Sequence, residues 1–171
     1  VNGGGFTSIY AVDMDNDNVI DILSTRWTND RVSWWENNGS ESFTEHNIST
    51  NADEVQKVFA IDLDEDGDMD VLSASQNDYE IVWYENDGYQ NFTTHNIDTD
   101  PMSDGAVCLF VIDLDQDGDL DVLSKFIYST GEVVWYENDG SENFTKHVID
   151  NTSSDEDSDI YATDLDNDGD V

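Results

Sequence analysis

Apolar residues in this chain come in short runs between acidic and turn-forming residues, and no stretch carries a helical period. The pattern is clearest between positions 58 and 97. Val58-Phe59-Ala60-Ile61, Val71-Leu72, Ile81-Val82-Trp83-Tyr84 and the alternating Phe92 to Ile97 are rich in β-branched and aromatic residues, which predicts strands. The expected elements are 58–61, 70–74, 81–85 and 92–97. Asn86-Asp87-Gly88 between the last two is a strong hairpin-turn signal.

The same set recurs along the chain. Asp13, Asp62, Asp113 and Asp164 each open an acidic loop, at intervals of 49, 51 and 51 residues. An aromatic-acid-turn block follows each of the first three: Trp34-Trp35-Glu36-Asn37-Asn38-Gly39, Trp83-Tyr84-Glu85-Asn86-Asp87-Gly88 and Trp135-Tyr136-Glu137-Asn138-Asp139-Gly140. Phe-Thr-x-His then ends each unit, at His46, His95 and His147. Four antiparallel strands in about fifty residues, repeated, are the blade of a β-propeller. A stacked solenoid is the weaker alternative, because hairpin-linked meanders suit radial packing. The expected fold class is all-β, with four-stranded antiparallel blades near 6–48, 57–97 and 108–149 and a partial fourth at 159–171. All of 1–171 reads as part of one repeat domain. Propellers close with about 4–8 blades, so the chain is expected to be a segment of a larger one.

Composition narrows the partners. Acids number 41 against 5 bases, a formal charge of −36. Nucleic acid and anionic membranes are excluded as partners, because binding them requires clustered Lys and Arg. The longest apolar run, Ala106 to Ile112, is too short to span a bilayer. Cys108 is the only cysteine, so no disulfide forms within the chain. Its repeat equivalents, Ser8, Lys57 and Asp159, mark a position expected to be exposed.

Eighteen of the 41 acids are the aspartates of the four loops. Asp62-Leu63-Asp64-Glu65-Asp66-Gly67-Asp68-Met69-Asp70 sets carboxylates on alternate residues with glycine sixth. Like charges this close repel, and a turn that gathers them needs a counter-charge. The side-chain donors are all oxygen, which selects a hard cation, calcium ahead of magnesium. An EF-hand would need a bidentate Glu at position twelve, where Ser24, Ser73 and Ser124 stand, and helices on both flanks. What remains is a β-hairpin whose turn wraps an ion, about one Ca²⁺ per complete repeat. The expected ligands are Asp13, Asp15, Asp17, Val19 and Asp21; Asp62, Asp64, Asp66, Asp68 and Asp70; and Asp113, Asp115, Asp117, Asp119 and Asp121. Asp164, Asp166, Asp168 and Asp170 follow in the partial copy. The seventh position, which is Val19 in the first loop, would supply a backbone carbonyl. Asn18 replaces the glycine there, since Asn tolerates the left-handed conformation.

The loop Asp-x-Asp-x-Asp-Gly-Asp-x-Asp-Val-Leu-Ser, followed by Trp-Tyr-Glu-Asn-Asp-Gly and Asn-Phe-Thr, resembles the FG-GAP/VCBS repeats related to the blades of the integrin α-subunit propeller. The resemblance covers essentially the whole chain. It implies an extracellular or cell-surface propeller with calcium in the hairpin between each blade's first two strands. Asn18 and Val19 depart from the pattern and mark the first site as the weakest.

A meander places the acidic loop and the Asn-Asp-Gly turn at one end of each blade, and the variable connections at the other. Variation there points to partner recognition, with Arg26, Trp27, Arg31, Tyr79, Phe126 and Tyr128 as candidate ligand-rim residues. The three His repeat at one position and read as a packing or hydrogen-bonding feature, so no catalytic residue and no enzymatic activity is expected. Asn38, Asn47, Asn91, Asn143 and Asn151 are N-glycosylation sequons. They would carry glycans in a secreted eukaryotic protein and reflect Asn, Ser and Thr richness in a bacterial one. The expected function is a calcium-binding structural or interaction module, as in an extracellular filament or matrix. Its partners would be protein, through self-assembly or neighbouring domains, or carbohydrate. A lectin-like or adhesive propeller, or an accessory module of a secreted enzyme, is the alternative.

Overall fold

The computed structural model describes residues 5–99, 105–127, 131–152 and 159–166. Twelve strands make three sheets. The first holds β1 (Phe6–Val12), β2 (Asp21–Arg26), β3 (Arg31–Asn37) and β4 (Phe43–Ser49). The second holds β5 (Val55–Ile61), β6 (Asp70–Ser75), β7 (Ile81–Asn86) and β8 (Phe92–Asp98). The third holds β9 (Ala106–Ile112), β10 (Asp121–Phe126), β11 (Val133–Asn138) and β12 (Phe144–Asp150). Each sheet is an antiparallel meander with its strands in chain order, so consecutive hairpins build it. Among the described residues no helix occurs. These sheets are β-propeller blades.

Side chains alternate between the two faces of a blade, and both faces of the central one are covered. Leu72, Ala74, Ile81 and Trp83 pack toward the third blade, against Leu109, Val122 and Tyr136. Val71, Val82 and Tyr84 pack toward the first, against Leu23, Val32 and Trp34. Double-sided burial explains why β7 opens on the unbroken apolar run Ile81-Val82-Trp83-Tyr84, and why the polar residues of β6, Asp70, Ser73 and Ser75, are buried with its apolar ones.

The innermost strands carry a row of rings that sequence reading missed. Tyr10, Phe59, Phe110 and Tyr161 each stand three residues before a lead aspartate. Their centroids follow one another at 5.0, 6.4 and 4.8 Å. The same fixed offset could have revealed them.

Two expectations about exposure are corrected. Cys108 is 2% exposed. It lies on β9 between β5 and residues 159–163, whose Lys57 and Asp159 pair at 2.7 Å and both act on its thiol. Burial pushes that thiol above its ordinary value. Phe126, expected on the rim, is fully buried in the core between the second and third blades, with Lys146 Nζ 4.9 Å from its ring.

Trp83 is 1% exposed and Trp27 45%. Trp83→Ala should therefore cost about 3–5 kcal/mol, whereas Trp27→Ala should stay within about 0.5 kcal/mol. Urea unfolding of both variants in calcium checks this; equal losses would mean that the blade interface is not the core.

Candidate metal centres in the first hairpins

Each acidic loop joins the first two strands of its blade or, in the last copy, follows residues 159–163. Backbone N–H groups hold its aspartates in a repeated way. The lead carboxylate accepts from the sixth residue: Asn18 N–H to Asp13 Oδ2 at 2.8 Å, Gly67 to Asp62 Oδ2 at 3.0 Å, Gly118 to Asp113 Oδ2 at 3.2 Å. The third-position Asp15, Asp64 and Asp115 accept from the fifth residue at 3.3, 3.2 and 3.2 Å. The fifth-position Asp17, Asp66 and Asp117 accept from the seventh at 2.7, 2.9 and 3.0 Å. These bonds require left-handed backbone at the sixth residue, where φ is 67° at Asn18, 100° at Gly67 and 105° at Gly118. Asn18 thus takes the conformation expected of it. The fourth residues Asn16, Glu65 and Gln116 are also left-handed, at 60°, 60° and 63°, a feature no sequence signal announced.

The outcome is a cluster of oxygens. Asp13, Asp15 and Asp17 bring carboxylate oxygens within 4.8 Å of one another, as do Asp62, Asp64 and Asp66, and Asp113, Asp115 and Asp121. A cation fits this donor set, because Asp62 Oδ1 and Asp113 Oδ1 are buried without any hydrogen-bond partner. A buried carboxylate oxygen in that state is costly unless a positive charge faces it. The electrostatics agree. Asp15, Asp64 and Asp115 are held above the usual carboxylate value, first by burial, with neighbouring carboxylates adding to it. For Asp64 one of those neighbours is Glu85, whose Oε2 lies 2.6 Å from His95 Nε2.

The seventh residue points elsewhere. Asp68 and Asp119 lay their carboxylates against Gly88 and Gly140 of the facing turns, and Val19 Cγ2 would meet a Cβ on Gly39 at 3.6 Å. In the second and third turns any Cβ on the glycine would push that carboxylate aside, and the positive φ of Gly88 and Gly140 disfavours a larger residue as well. The ninth residue is a buried tie between loop and turn. Asp70 Oδ2 accepts the Leu63 N–H at 3.1 Å and Oδ1 the Asn86 N–H at 2.8 Å. Asp21 holds Met14 and Asn37 at 3.2 and 2.7 Å, plus Trp34 Nε1 at 2.9 Å, and Asp121 holds Leu114 and Asn138 at 3.0 and 2.9 Å. Burial raises Asp70 to about 6 against those bonds, and raises Asp121 for the same reason. Of the partial copy, Asp164 and Asp166 are described and Asp168 and Asp170 lie outside the described residues.

The three His form one repeated unit with the Glu and Trp of the aromatic-acid block. Nε2 of His46, His95 and His147 meets Glu36, Glu85 and Glu137 at 2.8, 2.6 and 2.6 Å. Their rings stack on Trp34, Trp83 and Trp135 at 4.6, 4.5 and 4.6 Å. All five sequon asparagines are exposed; Asn91 and Asn143 donate Nδ2–H to Asp87 and Asp139. At the opposite end Trp27 is exposed, Arg26, Arg31 and Tyr79 are partly covered, and Tyr128 lies outside the described residues.

Meandering four-stranded blades with an oxygen cluster in each first hairpin define a propeller-type repeat protein. The FG-GAP-like repeat model matches residues 13–73 and 62–124, and the chain belongs to that family. No curated protein matches it. Among solved structures it is similar to an Agrocybe aegerita lectin, described as specifically recognising non-reducing terminal N-acetylglucosamine. Identity is 17% and the TM-score 0.57, over 85% of this chain and 39% of the lectin's. That likeness is one of fold, and this chain spans well under half the length of the lectin.

Asp70→Ala would leave two buried N–H donors unpaired at about 1–3 kcal/mol each. It should destabilise more than His95→Ala when both are unfolded in urea, and the reverse order would remove Asp70 from its tying role. Asp78, at the opposite end, accepts the Asp53 N–H at 2.9 Å, and burial lifts it from 3.8 to about 6. Its native value lies above the unfolded one. Its contribution to stability is therefore full below about pH 4 and lost as pH rises through about 6. Urea midpoints across that range should fall less with rising pH in Asp78→Asn than in the parent chain.

Proposed function

We propose that the chain is part of a calcium-binding extracellular β-propeller and acts as a structural or interaction module without catalysis. The observation that carries this reading is the threefold recurrence of carboxylate clusters within 4.8 Å, two of them around a buried oxygen that no donor satisfies. Asp13, Asp15 and Asp17; Asp62, Asp64 and Asp66; and Asp113, Asp115 and Asp121 would each hold an ion. It would supply the positive charge that lets those hairpins close. Extracellular calcium is abundant enough for loops of this affinity class, and a chain of charge −36 is least strained where calcium neutralises part of it. A glycosylated subunit of a filament or matrix suits the exposed sequons. Carbohydrate recognition at the variable end is a second reading, favoured by Trp27, which is 45% exposed beside Arg26 and Arg31.

Chelation should lower the melting temperature sharply, since ligand at about 100 times its Kd adds about 2.7 kcal/mol per site. A melting curve indifferent to EDTA would sink the calcium reading. In a calorimetric titration Asp66→Ala should lose one site and His95→Ala none. Glycan-array binding abolished by Trp27→Ala would establish the second reading, and an array without signal would remove it.

A further inference from the structure

The outer face of the first blade departs from the burial pattern of the repeat. Ile9, Ala11, Ile22 and Trp35 hold the positions of Val58, Ala60, Val71 and Tyr84 in the second blade and of Leu109, Val111, Val122 and Tyr136 in the third. Those eight equivalents are all 6% exposed or less. Ile9 is 64% exposed, Ala11 is exposed, and Ile22 and Trp35 are only half-buried. Four apolar residues therefore stand open at positions that the repeat otherwise uses to join blades.

At the rim of this face lie Arg26 and Arg31, the only arginines in the chain. They are cross-strand partners on β2 and β3. Both share one carboxylate, Glu45 Oε1, at 3.8 and 3.9 Å, which leaves one positive charge in excess. Arg26 also lies 4.5 Å from the Phe6 ring and 5.4 Å from that of Trp35.

The interfaces already formed indicate what such a rim grips. The Tyr84 hydroxyl of the second blade shares a hydrogen bond with Ser73 at 3.3 Å and faces Ser49, the last residue of β4. In the third blade the Tyr136 hydroxyl donates to Asp98, the last residue of β8, and Lys146 Nζ lies 3.4 Å from the same oxygen. Phe126, Glu132 and Lys146 occupy the repeat positions of Arg26, Arg31 and Glu45. Lys146 meets Glu132 at 3.7 Å and the Phe126 ring at 4.9 Å. The same three positions thus build an ion-paired cluster on both faces, and in the third blade that cluster holds a neighbour's carboxylate.

We infer that Arg26 and Arg31 form a socket for the carboxylate ending the outer strand of an adjoining blade of the same polypeptide. The outer face of the first blade is then a blade-to-blade interface. This inference stands apart from the calcium reading. Every interface described is made by successive blades of one chain, whereas a second copy would bring another −36 charges. The complementary face of the third blade is also already partly filled, since Ile160, Tyr161 and Leu165 line a cavity with Leu123 and Val133.

The test uses the complete polypeptide in saturating calcium, as a mixture of isotopically light and heavy protein carrying Arg26→Lys. A carbodiimide couples the new amine to any carboxylate in contact, and mass spectrometry identifies the link. The expected product joins position 26 to an Asp or Glu ending another blade's outer strand, in light–light and heavy–heavy pairs only. Hydroxyl-radical oxidation of Trp35 in the unsubstituted polypeptide should be several-fold slower than that of Trp27. Ile9→Glu should bring Trp35 up toward the Trp27 rate without loss of a calcium site. A light–heavy link would make a second copy the occupant and overturn the inference. So would coupling to Glu45 alone, or a Trp35 oxidised as fast as Trp27.

Discussion

Carboxylate oxygens brought within 4.8 Å of one another repel, and each first hairpin described is built around that repulsion. Three devices oppose it. Backbone N–H groups from the fifth, sixth and seventh residues converge on the aspartates. The ninth-position carboxylate withdraws from the cluster in the first two loops and ties the loop to the far turn. Two oxygens remain buried without a hydrogen-bond partner from the polypeptide, a position that a cation would satisfy. The loop is therefore incomplete as pure polypeptide, which is the physical basis for reading it as a metal centre.

The loop also positions the rest of the blade. Because Asp21, Asp70 and Asp121 hold the N–H of Asn37, Asn86 and Asn138, the end of the third strand is registered to the acidic loop as well as to its ladder. The turn glycines Gly88 and Gly140 then receive the seventh-position carboxylates. Acidic loop, third strand and turn are one mechanical unit, repeated at a spacing that lets neighbouring blades meet with the same residues facing each other.

Much of this was legible in the sequence because the repeat multiplies weak signals. The strand positions, the meander, the acidic loops and the Trp–His regularity all follow from spacing. Burial was harder. Phe126 looked exposed because it falls in a variable connection, and Cys108 because its repeat equivalents are Ser8, Lys57 and Asp159. Repeat-equivalent residues need not share an environment when one blade has a covered face and another an open one. A period of two separates the faces of a strand without stating which face meets a neighbour. The tying role of the ninth aspartate was equally hidden, since a carboxylate that binds an ion and one that binds two amides look the same in a row of letters.

The file of rings on β1, β5, β9 and residue 161 bears on shape. Centroids 4.8 to 6.4 Å apart hold the innermost strands almost at contact distance, while the outermost strands share no comparable row. At the outer edge the contacts are fewer and polar, as between Lys146 of β12 and Asp98 of β8, so the blades are gathered chiefly along their inner strands. The bulk of those four aromatic side chains thus bears directly on how closely the inner edges of successive blades can approach.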